Sequence, residues 1–141
     1  AMMLGALLAA RIGLAALARA KRTPATRRDF LVYLDEFQMF ATRSLATMLA
    51  ELRKYRVSLV LANQYLGQLD LAVRDAVLGN VGTLICFRVS ADDAAHLARE
   101  MDPVFQPADL INLPNHHIYL RLMIDGQVSR AFSATTILRA A

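Results

Sequence analysis

Phe30-Leu31-Val32-Tyr33-Leu34, followed at once by Asp35-Glu36, is the stretch on which the reading of this chain turns. Five apolar residues rich in aromatic and β-branched types read as a strand, and an uninterrupted apolar run marks a strand covered on both faces. Strands of that kind belong to parallel sheets, and parallel sheets bind ligands beyond the carboxyl ends of their strands. Two carboxylates at such an end are therefore candidates for chemistry.

Outward from this stretch, apolar strands alternate with helical patterns. Downstream, Leu45, Met48, Leu49 and Leu52 recur at helical spacing within a helix expected over 44–55, with Ser44 as its N-cap. Val57-Ser58-Leu59-Val60-Leu61-Ala62 is a second strand and ends in Asn63-Gln64. A helix is expected over 69–78, stopping at Gly79-Asn80, and residues 82–89 form a third strand. Residues 91–101 form a further helix, with Asp92 and Asp93 in the first turn where the helix dipole favours them. A short helix at 107–112 precedes a hairpin turning at Asp125-Gly126. Upstream, residues 1–20 read as a helix and 21–29 as a basic linker. The helix is expected to pack on the rest with Leu4, Leu7, Leu8, Ile12, Ala15 and Leu17 inward. Arg11 and Arg19 and the high alanine content argue against a membrane span. The absence of a basic segment ahead of the apolar run argues against a signal peptide. The fold class is α/β, a mostly parallel sheet flanked by helices with a C-terminal β-hairpin, and residues 1–141 read as one domain.

A hydrophobic content of 56% excludes a disordered chain, and the net charge of +4, carried mainly by arginine, is compatible with nucleic acid without requiring it. The single cysteine, Cys86, lies in an apolar run and reads as a buried structural thiol; one cysteine allows no intrachain disulfide. His116 and His117 are adjacent and face opposite ways on a strand, and His96 has no partner one turn away, so neither suggests a metal site.

An apolar strand ending in Asp-Glu is the Walker B pattern. Mg²⁺ prefers oxygen ligands and keeps several waters, so one carboxylate can hold it while a neighbour orients and deprotonates an attacking water. Asp35 is the candidate Mg²⁺ ligand and Glu36 the candidate base. Gln64, at the end of the next strand, has an amide that can bond both a γ-phosphate and that water. Arg53 and Lys54 end the intervening helix. They either complement its C-terminus or project across a subunit boundary, where an arginine can stabilise a transferring phosphoryl group; Arg56, Arg74 and Arg88 are rivals for that role. A nuclease-like use of Asp35-Glu36 would need further acids at neighbouring strand ends, and Asp70 and Asp75 fall on a helix.

FLVYLDEFQMFAT, ELRKYRVSLVLANQYLGQL and RDAVLGNVGTLICFRV together resemble the C-terminal part of the motor domain in type IV secretion (conjugative) coupling proteins, of the HerA–FtsK group of P-loop ATPases. The resemblance covers about residues 4–123. It implies a partial RecA-like fold, ATP and Mg²⁺ as cofactors of the parent protein, and identical subunits in a ring, usually a hexamer. It also implies DNA or a protein–DNA substrate, the secretion machinery as partner, and a place on the cytoplasmic side of the bacterial inner membrane. By motif match it makes Asp35 the Walker B aspartate, Glu36 the catalytic glutamate, Arg53 the arginine finger and Gln64 the γ-phosphate sensor. These residues contain no G-x-x-x-x-G-K-[ST], so the Walker A strand is missing and the chain reads as a truncated motor that binds ATP weakly or not at all alone. An exposed sheet edge promoting self-association is the expected consequence. The alternative function is a non-catalytic RecA-like assembly or binding module.

Overall fold

The computed structural model describes residues 2–39 and 41–137, with the side chains of 2 and 43–46 left aside. The expected cap at Ser44 and the inward Leu45 lie outside the described side chains. The chain forms two compact units, residues 1–80 and 81–141, each with its own core.

In the first unit, α1 (Met2–Ala18) leads through two short 3₁₀ turns to β1 (Phe30–Leu34). Then come a 3₁₀ turn at Phe37–Met39, α2 (Arg43–Leu52), a 3₁₀ turn at Arg53–Tyr55, β2 (Val57–Leu61) and α3 (Leu71–Asn80). β1 and β2 pair in parallel, Phe30 opposite Val57 through Leu34 opposite Leu61. Alternation along the strands sends Val32, Leu34, Val57 and Leu59 to one face, where they meet Ile12 and Ala16 of α1 and Met48 and Leu52 of α2. Leu31, Tyr33 and Val60 on the other face are exposed.

The inward face of α1 differs from the expectation. Ala9 and Ala16 are buried and Ile12 is half-buried, whereas Leu4, Leu7, Leu8 and Leu17 are exposed; Ala15 is exposed too. The reason is closeness of approach. A Cβ on Gly13 would lie 1.8 Å from Met48 Sδ, so α1 approaches α2 closely on the face that carries Ala9, Ile12, Gly13 and Ala16, spaced i, i+3, i+4 and i+7. By length and composition Met3–Lys21 is apolar enough to cross a membrane.

The basic segment 21–29 is pinned rather than a free linker. Arg19 donates to the carbonyls of Tyr55, Arg56 and Arg28. Arg27 donates to the carbonyls of Arg19, Arg22 and Lys54, and its guanidinium sits 5.4 Å from the centroid of the Tyr55 ring. Two arginines thus stitch the end of α1 to the turn that enters β2.

In the second unit, β3 (Leu84–Cys86), β4 (His117–Arg121) and β7 (Phe132–Thr135) form an antiparallel sheet in the order β3-β4-β7. β5 (Met123–Ile124) and β6 (Gln127–Val128) pair around Asp125-Gly126, the expected turn, where both residues take positive φ. The expected third parallel strand is therefore three residues long and antiparallel to β4. The observed architecture is mixed α/β, one parallel pair and antiparallel segments flanked by helices. α4 (Ala91–Glu100) is capped by Ser90, whose hydroxyl accepts from the Asp93 amide, and packs with α5 (Pro107–Ile111). Ala94, Leu97, Met101, Leu110 and Cys86 are buried. Burial pushes the Cys86 thiol up to about 12, against a smaller opposing effect of the Arg121 charge, so it is held as the neutral thiol.

Candidate functional site at the strand ends

The ladder between β1 and β2 continues past the strands and then skips two residues. The Ala62 amide donates to Leu34 (2.9 Å), and the Phe37 amide donates to the Ala62 carbonyl (3.1 Å). Asp35 and Glu36 are looped out between these two bonds. Phe37, 2% exposed, anchors the return of the chain. The loop is tight enough to put Glu36 at φ 48°, a left-handed conformation that costs a non-glycine residue of order 1–3 kcal/mol. Packing of Phe37 below and the resumed ladder hold it there.

The geometry brings three of the four candidate residues together. Glu36 Oε1 accepts from the Gln64 side-chain amide, across the ends of the two parallel strands. Asp35 Oδ1 accepts from the Glu36 backbone amide at 3.0 Å. Arg53 stands apart: it lies in the turn before β2, while Gln64 lies past the strand's other end. Five residues of strand separate these ends by about 16 Å. Within one copy of this chain Arg53 does not reach the acids.

A fourth residue joins the cluster that the sequence reading passed over. Glu36 Oε2 accepts from the Gln38 side-chain amide, so the carboxylate is held by two glutamines, one per oxygen. The other end of Gln38, Oε1, is buried and without a hydrogen-bond partner among the described residues. The signal was an amide two positions after the acid, in a loop that must turn sharply to rejoin its ladder.

The chemistry open to this cluster follows from its donors. Asp35 is exposed, and among the described residues its Oδ2 meets no protein donor. Mg²⁺ accepts such an arrangement when water and phosphate oxygens complete its shell. Among the described residues no group of three or more His, Cys, Asp or Glu is placed to hold a metal by protein ligands alone. A cleft of about 390 Å³ in this unit is lined by Phe30 and Val57 and so lies at the opposite end of the strand pair from the acids.

A search of curated proteins finds no match to the chain. A family model described as the TraM recognition site of TraD and TraG matches residues 29–100, a span that takes in β1, β2, the looped-out acids, Arg53, Gln64, α2, α3 and α4. That span is just over half of the chain, and the chain belongs to this coupling-protein family.

Proposed function

We propose that this chain is a recognition and assembly module of a conjugative coupling protein, one that docks a TraM-like partner. The observation that carries the reading is the match over residues 29–100 to a family described by that recognition. The folded unit around β1 and β2 supports it, because its packed core offers a rigid frame for a docking surface. Calorimetric titration of a TraM-like protein into the purified chain tests it: saturable binding is expected, and a folded chain that releases no heat of binding overturns it.

A specific observation favours a second reading, that the same residues serve an ATP-driven translocation motor in the parent protein. Glu36 and Gln64, at the ends of adjacent parallel strands, share a hydrogen bond beside Asp35. In this reading Asp35 is a Mg²⁺ ligand, Glu36 the base for the attacking water and Gln64 the γ-phosphate sensor. The separation of Arg53 from the cluster suits a finger that acts on a neighbouring subunit, and thus a ring, hexameric in the family resemblance. The fold is then the C-terminal part of a RecA-like domain, and the substrate DNA or a protein–DNA complex moved at the cytoplasmic side of the bacterial inner membrane. The phosphate cradle would come from residues other than these 141, which contain no Walker A motif. The test is ATP hydrolysis by a longer polypeptide that includes a P-loop, native against Glu36→Gln. DNA-stimulated turnover lost in the variant while ATP still binds supports the motor; a folded protein with equal turnover in both removes Glu36 from catalysis.

A further inference from the structure

The cleft of about 390 Å³ beside the end of α1 is walled by Ile12, Ala15, Ala16, Phe30 and Val57 and is also lined by Arg19 and Arg22. Its volume falls within the roughly 300–1,000 Å³ of ligand clefts. The walls are aliphatic or aromatic and carry no side-chain hydrogen-bonding group; the cations are all of one sign. Arg19 is committed to three carbonyls, but its charge remains at the wall. Among the described residues the side chains of Lys21, Arg22 and Arg28 make no hydrogen bond or ion pair, and all three are exposed. The one acid of this stretch, Asp29, is 77% exposed and lies 3.7 Å from Arg56, a distance at which a surface pair contributes little. An apolar floor with the free Arg22 and the Arg19 charge at its wall complements a peptide segment that inserts a bulky apolar side chain and lays a carboxylate beside it.

We infer that this cleft is the docking groove for an acidic amphipathic segment of a partner protein, bound through its apolar side chain in the cleft and its carboxylates against Arg22 at the wall and the basic segment that adjoins it in sequence. The inference rests on the recognition reading above and names the surface that performs it. Rim charges of this kind set association rate and partner choice, while the buried apolar anchor sets residence time. Nucleic acid fits less well. Phosphate contacts need donors but no apolar floor, and the aliphatic walls offer nothing to base edges.

The test uses the purified chain, a fluorescein-labelled peptide of leucines flanked by glutamates, and its counterpart with lysine for glutamate. Two variants probe the two halves of the groove. Ala15→Trp fills it from an exposed helix position, and Arg22→Glu reverses a free charge; circular dichroism checks that both stay folded. The glutamate peptide is expected to bind at least tenfold more tightly than the lysine peptide, and each variant to weaken it at least tenfold. Equal binding of the two peptides, or binding indifferent to Ala15→Trp, overturns the inference. So does self-association of the native chain in sedimentation that Ala15→Trp abolishes, which reassigns the groove to a second copy. Single-stranded DNA binding lost in Ala15→Trp, with no peptide bound, reassigns it to nucleic acid. A TraM-like protein run in parallel separates the two claims. If it binds and neither variant matters, the groove falls and the recognition reading stands; if only the peptide binds, and does so through the groove, the recognition reading falls.

Discussion

Replacing Arg19 by alanine removes the pin that joins α1 to the entrance of β2. The guanidinium, at the end of α1, donates to three main-chain carbonyls from two further segments, Tyr55 and Arg56 in one and Arg28 in the other. The bond to Tyr55 is partly buried, so its loss carries the larger cost, about 1–2 kcal/mol for a carbonyl left without its charged donor. The other two are exposed, where water substitutes, and add about 0.5 kcal/mol each. The sum is about 2–3 kcal/mol. With a urea dependence of roughly 1–3 kcal/mol per molar, the unfolding midpoint followed by circular dichroism falls by about 0.7–3 M. Arg19→Lys keeps the charge but presents a point donor rather than a planar fork, so it recovers less than half of the loss. A midpoint within about 0.3 M of native for Arg19→Ala, or full recovery by lysine, would refute the view that this side chain ties three segments together.

Other consequences can be checked separately. Gly13→Leu drives a side chain into the space of Met48 Sδ and is expected to destabilise by about 1–3 kcal/mol; adding Met48→Ala recovers at least half, and strict additivity of the two changes would contradict the contact. Cys86 resists an aromatic disulfide reagent in the folded chain and reacts fully in denaturant, because burial keeps the neutral thiol. The same shift sets a pH dependence. The thiol is neutral in both states below its ordinary value of 9.0, and above it the unfolded chain ionises first. The stability margin over Cys86→Ala therefore shrinks as pH rises from 9 towards 12, by at most about 1.4 kcal/mol per unit; a margin that widens would contradict the assignment.

The parallel pair was legible because its signal is local and redundant. Two continuous apolar runs each end in polar residues, and the boundaries of the first matched to the residue. The meeting of Glu36 with Gln64 follows from placing both at the carboxyl ends of neighbouring strands; Gln38 was missed, and Arg53, named with them, stands at the other end of β2. The orientation of α1 was not legible. Hydrophobicity favours leucine inside, whereas the closeness of Met48 leaves no room for a side chain at Gly13 and turns Ala9, Ile12 and Ala16 inward beside it, and distance is a tertiary quantity. Residues 82–89 hid their direction for a similar reason. An apolar strand reads alike in parallel and antiparallel pairing, and only its register with His117–Arg121 decides. The roles of Arg19 and Arg27 depend on carbonyls up to 37 positions away, beyond any local pattern.

In the proposed reading, recognition lies within residues 29–100, the span of the family match, and at the apolar, basic groove beside α1. Amide hydrogen exchange of the chain, alone and saturated with a TraM-like protein, tests that assignment most directly. Slowed exchange is expected within residues 29–100 and at the C-terminal half of α1, where the groove lies. Unchanged exchange throughout the chain at saturating partner, or protection confined to residues 101–137, would contradict it.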